Sequence, residues 1–430
     1  FKYSNLVFLQ GGPGTGKTTL IIKLILELLQ IDNFLNIGLS APTGKATARL
    51  KEALNDKKNI SFSKFLDQIE FQTLHRWILN SQNKSLKLKF KLKELDIFII
   101  DEMSMVNIDL IESVLNLLAK DCKIILVGDK NQLSPVNNCS IWNYLFEYSD
   151  NSSIKSCVVN LEKTYRNIGD IALISSLIFN NDFSLLNQKI KKLEKDNNSK
   201  EITISKSREK DIPKDLLFSI TSHLKQLNIS TSNLSKKKYI FDESIDNLLL
   251  NEKDLVDKIF LDLQSHLILC EKNSGIWSVE YLNEIVFGQK KPYDLKTLKE
   301  GVPIMCTKNN NELGLSNGDI GVLIGLKNKR KYLFRKFNDN NEEIVALIDP
   351  SNLENVVPAI AITIHKSQGS ESEKVNILWS QNYRRNQYAA KEKKDNQNIF
   401  CRDNFERRLF YTAVTRAVSY THLRAHETSR

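Results

Sequence analysis

The length, composition and charge of the chain restrict its class before any motif is considered. It has 430 residues, of which 41% are hydrophobic and 26% charged, as in globular proteins large enough for two or three domains. No stretch approaches the ~20 consecutive apolar residues that cross a bilayer, so we expect no membrane association. The net charge of +10 favours a polyanionic partner such as nucleic acid, although a Lys-, Asn- and Ile-rich composition alone would give the same sign.

The cysteines indicate a reducing compartment. The chain has six, scattered and without a C-x-x-C pair: Cys122, Cys139, Cys157, Cys270, Cys306 and Cys401. This pattern argues against a zinc ribbon or a disulfide framework and fits reduced thiols in a cytoplasmic protein. No signal peptide is recognisable, and because the chain opens directly on a predicted strand, we expect an N-terminal piece to be missing.

Residues 11–18, with the sequence GGPGTGKT, match the phosphate-binding loop pattern G-x-x-x-x-G-K-[ST]. An apolar strand is predicted before the loop at residues 6–9 and a helix after it at residues 20–29. The glycines allow backbone N–H groups to face phosphates, and the helix N-terminus adds partial positive charge. Lys17 would reach the β- and γ-phosphates and Thr18 would bind Mg²⁺. The predicted nucleotide-binding residues are Gly11, Gly12, Pro13, Gly14, Thr15, Gly16, Lys17, Thr18 and Thr19.

Two later strands are predicted to end in catalytic side chains. The apolar residues 97–100 run into Asp101 and Glu102, the pattern of a Walker B element. Asp101 would hold Mg²⁺ through water, and Glu102 would orient and deprotonate the attacking water. Gln132 follows the next apolar strand, where it could contact a γ-phosphate or simply face solvent. Together with the loop, these residues predict hydrolysis of a nucleoside triphosphate.

The segment after the second predicted strand has the residues of a nucleic-acid contact. Pro42 and Gly44 make a turn around Thr43, and a basic helix follows in which Lys45 and Arg49 share a face at i, i+4. The DNA-binding candidates here are Pro42, Thr43, Lys45 and Arg49. Loops at the carboxyl edge of a parallel sheet are where ligands bind in open α/β folds. We therefore favour phosphate contacts for these residues over plain solvation.

A second candidate contact lies in residues 73–77. Thr73, His75 and Trp77 are predicted to share a short helix, either as core and cap or as hydrogen-bonding and stacking groups for a single strand. Residues 81–93 are strongly basic with alternating apolar positions, which predicts an exposed hairpin insertion near 80–93. Strands and helices alternate throughout the first half, so we predict an α/β fold with a parallel sheet.

The order of the motifs along nearly the whole chain resembles the motor core of superfamily 1 DNA helicases. Within that superfamily, residues 314–321 and 365–371 resemble the RecD family, the alpha subunits of exodeoxyribonuclease V. The motifs that carry the resemblance are GGPGTGKTT, APTGKATARL, DEMSM, GDKNQLSPV, LEKTYRN, AITIHKSQGSE and YTAVTRA.

The resemblance implies two RecA-like domains, at residues 1–160 and 161–430, with an SH3-like β-barrel inserted near 302–356. It implies an ATP- and Mg²⁺-dependent motor that moves 5′ to 3′ on single-stranded DNA and unwinds duplex DNA. Such a subunit would work with RecB- and RecC-like partners in double-strand-break repair and recombination. Outside the motor motifs the sequence has no carboxylate–lysine cluster of the nuclease type, so DNA cleavage is expected of a partner.

The resemblance also assigns roles in the second half of the chain. Tyr165 would stack on adenine, Arg166 would reach the γ-phosphate, and Arg416 would be the arginine finger. The residues near the DNA backbone would be Thr363, His365 and Ser367, and those at the nucleotide and the domain coupling would be Gln368, Gly369 and Glu371. The basic segment 327–336 is predicted to be either a DNA-guiding face or a solvated hairpin.

Two segments are expected to depart from a regular fold. Residues near 180–242 are Lys/Asn/Ser-rich and predict a solvated or partly disordered insertion. Residues 418–430 are polar, show no strand alternation and depart from the family pattern, which predicts a truncation or a cloning or assembly scar. On that interpretation His422 and His426 are not a metal site despite their i, i+4 spacing.

Two alternatives to the RecD interpretation remain open at this point. One is another superfamily 1 helicase of the same polarity, either relaxase-linked, phage-type or RecD-like but independent of RecB and RecC. The other is a catalytically silent ATP-binding subunit of a nuclease complex, which the intact carboxylates and arginines disfavour and a turnover assay would decide.

Overall fold

A computed structural model gives the fold. It describes residues 4–55, 65, 68–82, 89–134, 141–147, 152–165, 169–195, 201–207, 211–237, 252–310, 312–325, 329–337, 343–380 and 404–426. These residues divide into two compact units, the first containing those before Gly169 and the second those from Gly169 onward.

The first unit is built on a six-stranded sheet in the order β3-β2-β4-β5-β1-β6, in which every pair is parallel. Because the strands are parallel, all their carboxyl ends lie along one edge, where the loops after β1, β2, β4 and β5 gather. The elements are β1 (Leu6–Gly11), α1 (Lys17–Ile31), β2 (Ile37–Ala41), α2 (Gly44–Asn55), β3 (Ile69–Thr73), α3 (Leu74–Gln82), β4 (Ile97–Ile100), α4 (Ile108–Leu115), β5 (Lys123–Gly128), α5 (Ile141–Glu147), α6 (Ser152–Lys155) and β6 (Val158–Leu161).

Helices cover both faces of this sheet, so its strands are apolar on both sides. β4 is buried along its whole length, and successive side chains enter opposite cores: Ile97 and Ile99 pack with α1, whereas Phe98 and Ile100 pack with Trp77 of α3. Burial on both faces explains why continuous apolar runs identified the central strands correctly.

The structure decides or corrects the sequence interpretation at three places in the first unit. Residues 69–73 form a strand that was not predicted. Of the two interpretations left open for Trp77, core residue or stacking platform, the structure supports the core, since its ring is fully buried against Phe98 at 5.6 Å between centroids. The described ends of the predicted 80–93 hairpin are helical, because α3 continues through Gln82 and Leu92–Glu94 form a 3-10 turn with Leu92 in the core. Residues 83–88 lie outside the described residues.

The second unit combines two five-stranded sheets. The parallel sheet has the order β14-β8-β15-β16-β7, and the other, antiparallel throughout, has the order β12-β11-β10-β9-β13. The elements are α7 (Asp170–Phe179), α8 (Phe183–Lys195), β7 (Ile202–Ser207), α9 (Lys214–Ser235), α10 (Lys253–Ser265), β8 (His266–Cys270), α11 (Val279–Phe287), β9 (Pro303–Cys306), β10 (Ile320–Ile324), β11 (Lys331–Phe337), β12 (Glu343–Ile348), β13 (Val356–Pro358), β14 (Ile362–Thr363), β15 (Ser372–Ser380), α12 (Asn404–Val414) and β16 (Ala417–His426). None of the described helices in either unit is both long and apolar enough to cross a membrane.

The prediction of an unstructured insertion near 180–242 is wrong for the residues that the structure describes. α8 buries Leu186, Ile190 and Leu193, which recur at i, i+4 and i+7, while its lysines lie on the outer face. β7 is an edge strand of the parallel sheet, and it buries Ile202 and Ile204. The abundant lysine and asparagine hid this pattern, because an amphipathic element at the surface needs only one apolar face. Residues 196–200, 208–210 and 238–242 lie outside the described part.

The expectation that residues 418–430 lack a strand is also wrong, since β16 pairs in parallel with both β15 and β7. Polar side chains of β16 are accommodated because they form hydrogen bonds and an ion pair within the unit. Thr421 donates to the Val375 carbonyl at 3.2 Å, and Arg424 pairs with Asp215 at 2.8 Å. Whether this stretch is native sequence stays a prediction.

The basic segment 327–336 is used to fasten the antiparallel sheet to the rest of the second unit. Arg335 pairs with Asp257 of α10 and lies over the Phe260 ring at 4.5 Å. Arg330 donates to the Leu295 carbonyl. Lys331 forms an ion pair with Asp349, and Lys336 donates to the Leu313 carbonyl. These contacts favour a structural role over the DNA-guiding face. Residues 326–328 are not described.

A half-buried histidine pair lies where α9 and α10 cover the parallel sheet. The ring of His266 lies 5.1 Å from that of His223, and its Nε2 is 2.7 Å from the Asn376 amide nitrogen. Burial and the nearby charges of His223, Lys374 and Arg424 lower the pKa of His266 to about 3. His266 is therefore neutral in the folded protein, with Nε2 accepting the amide hydrogen.

The free energy of unfolding is expected to fall as the pH decreases below 6.5, the usual pKa of histidine. The unfolded chain then binds a proton at His266 that the folded protein does not bind, which costs up to about 1.4 kcal/mol per pH unit until the folded pKa is reached. Urea denaturation across this range measures the slope. His266→Gln keeps an acceptor without the titration and should show a shallower slope. An unchanged slope would contradict the assignment.

Candidate active site

The loop between β1 and α1 has a conformation that only its glycines allow. Gly14 and Gly16 adopt φ of 72° and 85°, the left-handed region that L side chains avoid. A Cβ on Gly11 would lie 2.6 Å from Thr15 Oγ1, closer than any side chain tolerates. The chain therefore turns tightly between β1 and α1, and the predicted role of residues 11–18 in phosphate binding stays a prediction.

The start of α1 suits an anion. Its first turn contains no acidic residue and no side chain caps it, so the partial positive charge of the helix end faces the loop. The Lys17 ammonium donates to the Gly11 carbonyl at 2.7 Å and to the Gly12 carbonyl at 2.9 Å. The cation is thus held against the loop, in position for a phosphate oxygen.

The two carboxylates after β4 lie at the same edge of the sheet. The Asp101 N–H donates to the Ser40 carbonyl at 2.9 Å, which fixes its backbone beside β2. Burial and the neighbouring Glu102 raise the pKa of Asp101 to about 6, while the positive charge of Lys17 opposes that shift. Asp101 is therefore close enough to Lys17 to share one site with it, and a cation there would favour its ionised form.

Glu102 has a left-handed backbone, with φ 54° and ψ 41°. This region is costly for a residue with a Cβ and occurs preferentially at functional sites. The Glu102 N–H donates to Asp101 Oδ1 at 2.8 Å, which stabilises the conformation. The sequence did not reveal this turn.

The loop after β5 brings Gln132 to the same edge. The Gln132 N–H donates to the Asp129 carbonyl at 3.2 Å, and Asp129 Oδ1 accepts from the Asn131 N–H at 3.0 Å. Gln132 is 4% exposed, and its Oε1 has no hydrogen-bond partner among the described residues. A buried oxygen without a partner fits a site that is completed by a ligand or water.

Unpaired polar atoms gather along this edge of the sheet. Gln132 Oε1 is one of several buried side-chain atoms of the described residues that have no hydrogen-bond partner. Others near the ends of the first five strands are Gln10 Nε2, Ser40 Oγ, Gln72 Oε1, Ser104 Oγ and Asn131 Nδ2. Such groups cost free energy unless something pairs with them. The carboxyl edge is therefore the polar, incompletely satisfied side of an otherwise apolar unit.

Tyr165 lies against the phosphate-binding loop, although the sequence interpretation placed it in the second domain. Its N–H donates to the Gly14 carbonyl at 2.8 Å, and a Cβ on Gly16 would be 3.9 Å from the ring. The ring is 67% exposed, with the Lys163 ammonium 5.2 Å from its centroid. This geometry leaves a ring face open beside the loop. Arg166 lies outside the described residues.

The residues of the first unit predicted to contact DNA are brought together only in part. Thr43 caps α2 by accepting from the Ala46 N–H at 3.2 Å, and Lys45 is exposed while Arg49 and Pro42 are half-buried. In the neighbouring loop, Thr73 Oγ1 accepts from the Arg76 N–H at 3.4 Å, and His75 is exposed. β2 and β3 are adjacent, so both groups lie at the same edge of the sheet.

In the second unit, the predicted DNA contacts lie mostly inside the protein. Thr363 and Ser367 are buried, and the Ser367 hydroxyl donates to the Ile364 carbonyl at 2.7 Å. His365 is half-buried, and its ring lies 5.8 Å from that of Phe405, which is partly exposed. Phe405 lies six residues before the motif YTAVTRA and was missed, because a single aromatic outside a motif has no distinguishing pattern.

The residues predicted to couple nucleotide and domain movement follow Ser367 in a tight turn. The Ser370 N–H donates to the Ser367 carbonyl at 2.8 Å, and Gly369 adopts φ 71°, which explains the glycine. Gln368 and Glu371 are half-buried and have further contacts within the protein. Their predicted roles stay predictions.

Arg416 is buried in the second unit with 4% of its surface exposed. Its Nε donates to the Thr412 carbonyl at 3.1 Å, its Nη1 to the Ser370 carbonyl at 3.2 Å, and its Nη2 to Thr415 Oγ1 at 3.4 Å. The guanidinium thus joins the end of α12 to the turn before β15. In this conformation it stabilises its own unit.

Arg416→Ala is therefore expected to destabilise the protein as well as affect activity. Removing the guanidinium takes away the hydrogen bonds that Arg416 donates to buried acceptors, which costs about 1–3 kcal/mol. Denaturant unfolding of the variant measures this change, with Arg407→Ala for comparison, since Arg407 is a half-buried arginine in α12, the helix that precedes Arg416. An unchanged unfolding midpoint in Arg416→Ala would contradict the structural role.

The groups available for a metal are few. Among the described residues, no group of three or more His, Cys, Asp or Glu side chains could hold a metal ion. This fits Mg²⁺, which binds one or two protein oxygens and takes its other ligands from water and phosphate. Asp101 and Thr18, the sequence-predicted pair, remain the candidates for those protein oxygens.

The loop, the parallel sheet and the carboxylates after β4 define a P-loop protein of the nucleotide-hydrolysing class. Residues 2–138 match the model of a family described as an AAA domain. The RecBCD enzyme subunit RecD of Buchnera aphidicola from Schizaphis graminum is 32% identical, over 87% of this chain and 66% of the relative. The RecD subunit of Buchnera aphidicola from Acyrthosiphon pisum is 31% identical, over 86% and 64%. The chain belongs to the RecD family.

The similarity is partial in length. The chain spans 66% and 64% of these two relatives. Among solved structures, Bacteroides Pif1 bound to single-stranded DNA is similar with a TM-score of 0.47 at 17% identity, covering 98% of this chain and 89% of the Pif1 chain. We draw no functional conclusion from that structural likeness.

Proposed function

We propose that the chain is an ATP-hydrolysing DNA helicase that moves along single-stranded DNA and unwinds duplexes. One observation supports this most: Lys17, Asp101, Glu102 and Gln132 all lie at one polar edge of the first unit, beside a loop shaped for phosphates. These are the parts that phosphoryl transfer to water requires, namely a phosphate cradle, a metal ligand, a water-orienting carboxylate and a γ-phosphate contact.

ATP and Mg²⁺ fit the residues present. The ammonium of Lys17 and the start of α1 bind the phosphates, while Thr18 and Asp101 supply oxygens for the metal. Mg²⁺ would neutralise charge on the phosphates. Glu102 accepts a proton from the attacking water, and Gln132 Oε1 is available for that water or for a protonated partner. The exposed Tyr165 ring beside Gly16 offers a stacking surface for adenine, and Arg166 is proposed to contact the γ-phosphate.

For DNA, we propose backbone contacts by Thr43, Lys45 and Arg49 and by Thr73 and His75, which occupy adjacent loops of the first unit. In the second unit, His365 with Phe405 offers a partly exposed aromatic pair on which a base can stack, an interaction worth about 1–3 kcal/mol. The antiparallel sheet is proposed to be the SH3-like insertion of RecD-type helicases.

The proposed partners and direction have different support. We propose assembly with RecB- and RecC-like subunits, because the relatives named above are subunits of the RecBCD enzyme. The proposed 5′-to-3′ translocation rests on the motif resemblance to RecD-type helicases. The role would then be the repair and recombination of double-strand breaks, with DNA cleavage carried out by a partner.

Strand displacement on tailed duplexes tests this proposal. The chain alone, with ATP and Mg²⁺, should displace a strand from a duplex with a 5′ single-stranded tail and leave the same duplex with a 3′ tail intact. A blunt duplex is the matched control. Displacement only from the 3′ tail would contradict the direction. Hydrolysis of ATP without displacement of any substrate would contradict helicase activity for the isolated chain.

A further inference from the structure

We propose that Gln10 is a positioning residue, which holds the loop bearing Gln132 in register with the phosphate-binding loop. The inference rests on the proposed function, because its consequence is for ATP hydrolysis. It adds a residue outside every motif that the sequence interpretation used.

Gln10 lies in β1, directly before the loop glycines, and is almost completely buried. Its Oε1 accepts from the backbone N–H of Lys130 at 3.2 Å and from the indole N–H of Trp142 at 3.0 Å. Both partners can only donate, so they fix the amide with its oxygen toward them. The side chain thus connects the phosphate-binding strand to the loop after β5.

The Lys130 contact is the one that matters for Gln132. Within that loop, the N–H groups of Asn131 and Gln132 donate to Asp129, which makes residues 129–132 a compact turn. The Lys130 N–H instead donates to Gln10, which lies outside the turn in the strand that precedes the phosphate-binding loop. A shift at Gln10 is therefore transmitted to the position of Gln132.

Trp142, the other donor to Gln10, is itself held in place by its neighbours. Its indole lies against Gly128, where a Cβ would come within 2.7 Å of Trp142 Cε2. It packs on Phe8 and Phe146, with ring centroids 6.0 and 5.0 Å away. A glycine at the end of β5 and a rigid aromatic cluster therefore hold the acceptor side of Gln10 in one place.

The amide nitrogen of Gln10 is not used in these contacts. Its Nε2 is buried without a partner among the described residues, as is Gln132 Oε1. A donor and an acceptor left unpaired on the two connected elements indicate that the site is completed by a further ligand or by water. A residue needed only for packing would not require this unpaired amide group.

The test is a double-mutant cycle on ATP hydrolysis. Gln10→Met keeps the shape and removes the acceptor, and it is expected to lower kcat about tenfold with KM for ATP within about twofold. In the Gln132→Ala background, the same change should have little further effect, because both residues act through one position. Independent, multiplicative losses would overturn the inference, as would an unchanged kcat in Gln10→Met.

Trp142→Phe is the comparison variant, since it removes the other donor and leaves the Lys130 bond in place. Because Trp142 also helps to hold Gln10, kcat should fall, but by less than in Gln10→Met. Rates are normalised to the nucleotide-binding fraction, and thermal unfolding is measured in parallel. A Gln10→Met protein that melts earlier but keeps its normalised kcat has lost only stability, and that result would also overturn the inference.

Amide hydrogen exchange separates this inference from the helicase proposal. In Gln10→Met, the Lys130 amide should exchange at least about tenfold faster than in the wild type, while the amides of β5 are unchanged. If the wild type hydrolyses no ATP, the proposed function fails, yet faster exchange would still establish that Gln10 holds the loop. Unchanged exchange at Lys130 would overturn the inference whatever the ATPase result.

Discussion

Replacing Glu102 by glutamine is expected to reduce ATP hydrolysis at least about 10³-fold, while ATP binding remains within a few-fold of the wild type. The variant keeps the shape of the side chain and removes the group that accepts the proton from water. Single-turnover hydrolysis together with nucleotide titration separates the two effects. Phosphate contacts are made by the loop and Lys17, so they do not depend on this carboxylate.

The matched control is Glu112→Gln, the same chemical change on the exposed face of α4. It should hydrolyse ATP at the wild-type rate. Glu102→Ala is a less suitable substitute, because it also removes the volume of the side chain; the strain of the left-handed backbone at φ 54° is shared by all three residues. Glu102→Gln with near-normal turnover would show that another group activates the water.

Replacing Lys17 by methionine should reduce kcat/KM for ATP by about 10³-fold or more, through weaker binding as well as slower chemistry. Methionine keeps the aliphatic stem and removes the ammonium that now donates to the carbonyls of Gly11 and Gly12. The positive charge that would bind the phosphates is lost. ATP titration and steady-state kinetics measure the two components.

Lys23→Met is the control for this variant, since Lys23 lies exposed on the same helix, α1. It should behave as the wild type. Equal losses in the two lysine variants would point to a general effect of charge. Wild-type kinetics in Lys17→Met would show that the loop does not hold the phosphates of a substrate.

The phosphate-binding loop and the carboxylates were predictable because their information is local. A short apolar run, a glycine pattern and a helix follow each other within residues 6–29, and the same logic applies to residues 97–102. β3, by contrast, has the sequence Ile-Glu-Phe-Gln-Thr, whose polar members gave a weak pattern. It is a strand because β2 lies beside it, which no local sequence feature shows.

Long-range contacts explain the other differences. Tyr165 was assigned to the second domain from its motif, but its N–H bonds to Gly14, far back in the sequence. The burial of Arg416 depends on the Ser370 carbonyl, 46 residues away. Gln10 belongs to no motif, and its significance appears only when Lys130 and Trp142 are brought to it by the sheet.

We propose that the polar edge of the first unit hydrolyses ATP in response to DNA. The steady-state ATPase rate of the wild-type chain with Mg²⁺, with and without single-stranded DNA, tests this beside Glu102→Gln. We expect a rate that rises at least about tenfold on adding single-stranded DNA and that disappears in the variant. A wild-type rate indifferent to single-stranded DNA, or an equal rate in Glu102→Gln, would contradict it.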